Sequence, residues 1–180
     1  SLNWDNVIRP RSSSLFSKIN TSKGPRKVWT TFGPDQVDLN WQNPKMIVEF
    51  LNLIVTYVNN GIKWFRLDAV GFIWKESGTT CLHLPKAHLL VKTLRIQLYS
   101  LLHDGVLITE TNVPQKENLS YIEPGDEAHM AYNFPLPPLV LEAVITSRAD
   151  ILNSWINKWP KLPTSTTLFN FTASHDGIGL

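Results

Sequence analysis

The sequence lacks several features that would assign it to a class at once. It has one cysteine in 180 residues, which excludes an internal disulfide and a metal centre built by cysteine alone. Its net charge is only +2 and no Lys/Arg run exceeds two residues, so nucleic acid is not an expected partner. No apolar run reaches the ~18 residues of a membrane span, and the first residues show no signal-peptide core. We therefore expect no membrane partner and a cytoplasmic location.

The composition is nevertheless that of a globular domain. Hydrophobic residues make up 43% and charged residues 18% of the chain, which is unlike a disordered protein. Seven Trp and twelve Pro are present. Trp residues line sugar sites, but they also fill protein cores, so their number alone leaves both roles open.

The first quarter of the chain differs from the remainder. Residues 1–43 contain a Pro/Arg/Ser stretch and a Lys-Gly-Pro turn signal, so we predict loops with little regular structure there. From Asn43 a helical rhythm begins, with Asn43 as N-cap, Pro44 as the first helical residue and Gly61 as the terminator. The chain therefore divides into residues 1–43 and a folded part, residues 44–180.

The folded part predicts alternating strands and helices. Strands are predicted at residues 62–67, 106–109, 130–134 and 167–171, and further helices at residues 86–102, 139–147 and 149–159. Short apolar strands separated by helices are typical of parallel βα units, which gives an α/β fold class. The four strands fit an open sheet or part of a (β/α)₈ barrel. A complete barrel needs about 250 residues, so this chain cannot contain one.

Three acidic residues follow predicted strands in the same way. Asp68, Glu110 and Asp176 each lie at or just past the carboxyl end of a strand, where α/β proteins gather ligands and catalytic groups. An acid in this position is also a common helix cap. Three of them at successive strands favour a catalytic site.

Two further residues accompany these acids. Arg66 stands two residues before Asp68, and strand alternation puts both side chains on one face. That pair is compatible with an ionised catalytic carboxylate and with a purely structural ion pair. His175 precedes Asp176 and supplies a hydrogen-bond donor beside it.

Several segments resemble successive signatures of the α-amylase superfamily, glycoside hydrolase family 13. The segments are GIKWFRLDAVGFIWKESGTTC, LITETN and FNFTASHDGIG, and they match the family motifs at Arg66, Asp68, Glu110, His175 and Asp176. A shorter element that resembles the family's QxDLN motif contains Gln36, Asp38, Leu39 and Asn40. Four segments are similar to the sucrose phosphorylase branch, which also includes relatives acting on glucosylglycerate, glucosylglycerol and sucrose phosphate: WKESGTTCLHLPKAH, TETNVPQKEN, AYNFPLPPLVL and ASHDGIG.

The resemblance implies a fold and a mechanism. Residues 44–180 would form strands four to seven of a (β/α)₈ barrel, and residues 1–43 the end of an insertion after strand three. Asp68 would be the nucleophile and Glu110 the acid/base. Asp176 would be the third catalytic acid, with Arg66 and His175 binding substrate.

The resemblance also implies the partners. Sucrose or a related α-glucoside would react with inorganic phosphate to give glucose 1-phosphate, with no cofactor and no metal. The missing motifs and strands indicate an internal part of a longer protein. A hydrolase or transglucosylase of the same family, and a non-catalytic relative, remain alternatives, and the oligomeric state is open.

Overall fold

The computed structural model describes residues 2–175 of the 180-residue chain, so Asp176 lies outside the described residues. These residues form two compact units. The hairpin unit comprises residues 2–61 and 69–90, and the sheet unit comprises residues 62–68 and 91–175. The elements in chain order are β1 (Phe16–Thr21), β2 (Gly24–Trp29), α1 (Pro44–Asn59), β3 (Trp64–Asp68), α2 (Pro85–Leu101), β4 (Val106–Glu110), α3 (Gln115–Leu119), β5 (Met130–Tyr132), α4 (Leu136–Thr146), α5 (Asp150–Ile156) and β6 (Thr167–Phe169).

The hairpin unit contains a regular antiparallel pair, so the prediction of irregular structure for residues 1–43 is wrong at β1 and β2. Phe16 lies opposite Trp29, and the turn ends at Gly24, whose φ of 89° suits glycine. The rings of Phe16 and Trp29 meet edge to face at 5.3 Å, and Lys27 Nζ lies 4.4 Å from the centre of the Phe16 ring. These contacts run across the strands, and periodicity along one strand does not reveal them.

Helix α1 begins and ends as its sequence predicts. The side chain of Asn43 accepts a hydrogen bond from the N–H of Lys45 at 3.1 Å, and Pro44 opens the helix. The helix ends at Asn59, and Gly61 follows with a φ of 85°. Local chemistry therefore determines both ends.

The sheet unit is a parallel sheet in the order β3-β4-β5-β6, which confirms the predicted α/β class with parallel strands. Asp68 is registered opposite Glu110, and Tyr132 opposite Phe169. Every connection between these strands contains a helix. Because all four strands run in one direction, their carboxyl ends lie along one edge of the sheet.

The observed boundaries differ from the predicted ones in detail. The first strand of the sheet is β3, so the predicted start at residue 62 is two residues early and the predicted end at residue 67 is one residue early. Its side chains alternate between exposed and half-buried positions, which is unlike the uniformly apolar strand predicted. β5 and β6 are shorter than predicted, and α5 ends before Trp159.

The core of the sheet unit lies around β4, which has a strand partner on each side. The largest fully buried side chains there are Leu98, Leu107, Tyr121 and Ile122. Burial raises the pKa of Tyr121 far above its ordinary value, so the phenol is neutral. Helix α3, which the sequence did not predict, buries Asn118 and Leu119.

The two outer strands of the sheet each have one partner among the described residues. Trp64 on β3 is exposed. Within residues 2–175, no helix combines the length and the hydropathy that crossing a membrane requires.

Candidate active site

Strand β3 brings two of the predicted site residues together. Arg66 and Asp68 lie on one face, as strand alternation predicts, with Arg66 Nη2 3.9 Å from Asp68 Oδ2. Ala69, the next residue, has a left-handed φ of 47°, which ends the extended run immediately after Asp68. A left-handed alanine is a strained conformation of the kind that often marks functional sites.

Glu110 contacts the same guanidinium from the neighbouring strand. Arg66 Nη1 donates to Glu110 Oε2, so one arginine bridges a carboxylate on its own strand and a carboxylate on β4. A planar guanidinium has donors on several edges, which lets it serve two acids at once. The sequence predicted only the partner on β3, because the second partner is 44 positions away.

The two carboxylates differ strongly in their exposure to solvent. The side chain of Asp68 is 73% exposed, whereas that of Glu110 is 8% exposed. Their residues are registered partners on adjacent parallel strands, which are about 4.8 Å apart. The arrangement therefore presents one open carboxylate beside one enclosed carboxylate, with a cation between them.

Two polar side chains that the sequence did not predict form hydrogen bonds beside Glu110, where β4 and β5 end. Thr111, the next residue, donates its hydroxyl proton to Asn118 Oδ1 at 2.6 Å. Asn118 Nδ2 in turn donates to the carbonyl oxygen of Tyr132 at 2.8 Å. Sequence reasoning missed both Thr111 and Asn118, although the short TETNVPQKEN segment contains them.

Half-buried aromatic rings extend from the ends of β5 and β6. Tyr132 lies 4.9 Å from Phe169 and 5.3 Å from Phe171 between ring centres, and Phe134 stacks on Tyr132 at 5.5 Å. Tyr132, the last residue of β5, is also the residue whose carbonyl oxygen accepts the hydrogen bond from Asn118. His175 is exposed, and its neighbour Asp176 lies outside the described residues.

The hairpin unit holds a second, separate ion pair. Asp38, in the QxDLN-like element, lies 2.7 Å from Lys75 Nζ and accepts hydrogen bonds from the N–H and hydroxyl of Thr31. Lys75 Nζ also lies 5.2 Å from the centre of the Trp29 ring and donates to the carbonyl oxygen of Phe72. Both members are mostly buried, and sequence reasoning missed Lys75.

Residues 2–175 hold no group of three or more His, Cys, Asp or Glu side chains arranged to bind a metal ion. The single cysteine, Cys81, is buried and unbridged. The chemistry available from these residues is that of carboxylates, one guanidinium and hydrogen-bond donors.

Comparison with known families identifies the class. Residues 27–177 match the model of the alpha amylase catalytic domain, so the chain belongs to the α-amylase family. This confirms the resemblance carried by the motifs around Asp68, Glu110 and His175.

Within this family, the chain is similar in sequence to two curated phosphorylases. The chain is 48% identical over 175 residues to the glucosylglycerate phosphorylase of Allomeiothermus silvanus, covering 97% of this chain and 32% of that protein. It is 46% identical over 176 residues to the glucosylglycerate phosphorylase of Escherichia coli strain K12, again covering 97% and 32%. The chain thus spans about a third of the length of these relatives.

A solved structure gives the same picture. The sucrose 6F-phosphate phosphorylase of Thermoanaerobacter thermosaccharolyticum superposes with a TM-score of 0.81 at 26% identity. The superposition covers 98% of this chain and 35% of the other. The similarity therefore extends through almost all of this chain.

Proposed function

We propose that this chain carries part of the active site of a retaining glycoside phosphorylase. The observation that carries the proposal is the Arg66 bridge, which joins an exposed and an enclosed carboxylate on neighbouring strand ends. Retaining enzymes need such a pair, one carboxylate as nucleophile and one as acid/base. The phosphorylase relatives, at 46% and 48% identity, support phosphate as the acceptor.

In the proposed first step, Asp68 attacks the anomeric carbon of an α-glucoside. The glycosidic bond breaks, Glu110 gives its proton to the departing oxygen, and a covalent glucosyl ester forms on Asp68. Asp68 suits this role because its carboxylate is open to an incoming sugar. We expect about 5–5.5 Å between the two carboxyl groups when substrate is bound.

In the proposed second step, a phosphate oxygen attacks the same carbon. The ester bond to Asp68 breaks, and Glu110 takes the proton that the acceptor releases. The product is α-glucose 1-phosphate, with retained configuration. His175 and Asp176 would bind hydroxyl groups of the same glucosyl unit, and Arg66 would orient the carboxylate of Asp68.

We assign glucosylglycerate as the first substrate to test, and sucrose or sucrose 6F-phosphate as the alternatives. The names of the relatives at 46% and 48% identity support glucosylglycerate. The solved relative at 26% identity supports a sucrose-type substrate.

We further propose that β3 to β6 are strands four to seven of a (β/α)₈ barrel, in a longer protein. Their parallel pairing in chain order supports this assignment. Residues 44–180 then belong to the barrel, and residues 1–43, with their hairpin, end an insertion after strand three. A cytoplasmic location is part of the same proposal.

The test is a pair of isosteric substitutions in the full-length protein. Asp68→Asn is expected to abolish nearly all glucosyl transfer, because an amide is a far weaker nucleophile. Assays with and without phosphate, on glucosylglycerate and on sucrose, separate phosphorolysis from hydrolysis. Activity of Asp68→Asn within tenfold of the parent, or glucose release that ignores phosphate, would contradict the proposal.

A further inference from the structure

Asn118 joins the carboxyl ends of two neighbouring strands through both ends of one side-chain amide. Its Oδ1 accepts from the Thr111 hydroxyl at 2.6 Å, and its Nδ2 donates to the Tyr132 carbonyl oxygen at 2.8 Å. Thr111 follows Glu110 directly, and Tyr132 is the last residue of β5. The amide of Asn118 therefore bonds to the residue that directly follows the acid/base candidate, Glu110.

The surroundings make this connection rigid. Asn118 is 4% exposed and Thr111 is also buried, so water does not compete for either hydrogen bond. A buried polar group that loses its partner keeps the whole cost of desolvation, which holds each group in place. Helix α3 packs against β5 and fixes the backbone of Asn118 itself.

The strand end at Glu110 is also restrained on the side of β5. Arg66 holds the Glu110 carboxylate from β3, whereas Asn118 on α3 holds the side chain of the next residue, Thr111, and is itself bonded to the last residue of β5. A general acid must lie about 2.6–3.2 Å from the oxygen it protonates, so a small shift of this backbone would matter. The strand end that carries Glu110 is thus fixed from both neighbouring strands.

We propose that Asn118 is a positioning residue for Glu110, setting its carboxyl group for proton transfer to the leaving oxygen without touching the substrate. This inference rests on the proposed function. An amide suits the position, because it offers an acceptor to the Thr111 hydroxyl and a donor to the Tyr132 carbonyl oxygen on one short side chain. An aspartate keeps the shape but offers no donor to the Tyr132 carbonyl oxygen.

Dependence on the leaving group distinguishes positioning from mere stability. Good leaving groups need little protonation, whereas a sugar-type or glycerate-type hydroxyl needs the acid. In the full-length protein, Asn118→Asp should lower kcat/KM by about 100-fold on the natural-type substrates, glucosylglycerate or sucrose. This is the loss expected when the carboxyl group of Glu110 is misplaced by roughly 1 Å. On α-glucosyl fluoride the loss should stay below about threefold, since the acid contributes little there.

Two further variants make the result independent of the folding of Asn118→Asp. Thr111→Val removes the hydroxyl donor without changing the shape of the side chain, and it should show the same selective loss. Thr111→Ser keeps the hydroxyl and should therefore keep activity close to that of the parent protein. Asn133 is the matched control, since it is 2% exposed and joins β5 to β6 through Asn170 at 2.8 Å. Asn133→Ala should lower activity on both substrates to the same degree.

Glu110→Gln separates this inference from the proposed function. Selective loss on the natural-type substrate in Glu110→Gln supports the acid role. If that loss appears in Glu110→Gln but Asn118→Asp and Thr111→Val lose activity equally on both substrates, the positioning role is wrong. If Glu110→Gln itself shows no leaving-group dependence, the acid assignment fails first.

Discussion

His129 holds the backbone of β4 through a ring nitrogen that must stay unprotonated. The N–H of Leu107 donates to His129 Nδ1 at 3.0 Å, and the N–H of His129 donates back to the Leu107 carbonyl oxygen at 2.9 Å. Partial burial lowers the pKa of His129, and the nearby Arg95 guanidinium lowers it further, from 6.5 to about 4. An imidazolium has no acceptor, so protonation would break the bond from Leu107.

The sign of the pH effect follows from these values. Above pH 6.5 the ring is neutral in both the folded and the unfolded chain, so no stability is lost. As the pH falls from 6.5 towards 4, the unfolded chain takes up the proton and the folded chain does not, which destabilises the fold. The full difference corresponds to an upper limit of about 3 kcal/mol. Solvent screening of the half-buried ring reduces this, and we expect about 1 kcal/mol at pH 5.

Hydrogen exchange at the Leu107 amide measures this effect locally. In the full-length protein, protection of that amide, corrected for intrinsic exchange, should fall by about fivefold between pH 7.5 and pH 5, the equivalent of ~1 kcal/mol. His129→Asn keeps an acceptor that does not titrate, so the pH dependence should disappear. His129→Phe leaves the buried Leu107 N–H unpaired and should cost about 1–3 kcal/mol at every pH.

Two outcomes would refute the reasoning about His129. Protection of the Leu107 amide that is equal at pH 7.5 and pH 5 would show that the ring does not protonate against the fold. A pH dependence that persists in His129→Asn would assign it to another group. In either case His129 would not be the acid-sensitive contact of β4.

Three other predictions concern stability. Lys75→Met should destabilise the hairpin unit by about 3 kcal/mol, because it leaves the carboxylate of Asp38 mostly buried without its cation. Adding Asp38→Asn should recover most of this loss in thermal unfolding, and a double variant without recovery would show that the two residues are uncoupled. Ala69→Gly should raise the free energy of unfolding by about 1 kcal/mol, because glycine adopts the left-handed conformation without strain. The control Ala143→Gly, in helix α4, should lower it by about as much. Equal losses of stability in the two variants would show that the backbone at Ala69 is not strained. The 180-residue chain expressed alone should be insoluble or molten and catalytically silent, because β3 and β6 each have a strand partner on one side only among the described residues. A soluble monomer with a sharp, cooperative transition would refute this.

Features set by neighbouring residues could be predicted from the sequence. Asn43, Pro44 and Gly61 determine the ends of α1 by hydrogen bonding and backbone preference within a few positions. Strand alternation placed Arg66 beside Asp68 for the same reason. The shared orientation of the parallel strands follows from the length of the helical connections between them.

Features set by distant residues could not be predicted in this way. The hairpin depends on cross-strand contacts of Phe16 and Trp29, and the Asp38–Lys75 pair joins positions far apart in the chain. Asn118 belongs to a five-residue helix, which is too short for its periodicity to be visible. Its role depends on Tyr132, whose contribution is a backbone carbonyl that no residue type reveals.

The Arg66 bridge imposes an order of events on the proposed reaction. Arg66 Nη1 donates to Glu110 Oε2, so this carboxyl oxygen is an acceptor in the structure. Protonation of the leaving oxygen instead requires the neutral acid. In the proposed reaction the glucoside would therefore weaken the contact between Arg66 and Glu110 as it binds, while the contact between Arg66 and Asp68 is kept. Because one guanidinium serves both acids, strengthening one contact can weaken the other, and substrate binding is then coupled to the protonation of Glu110 through Arg66.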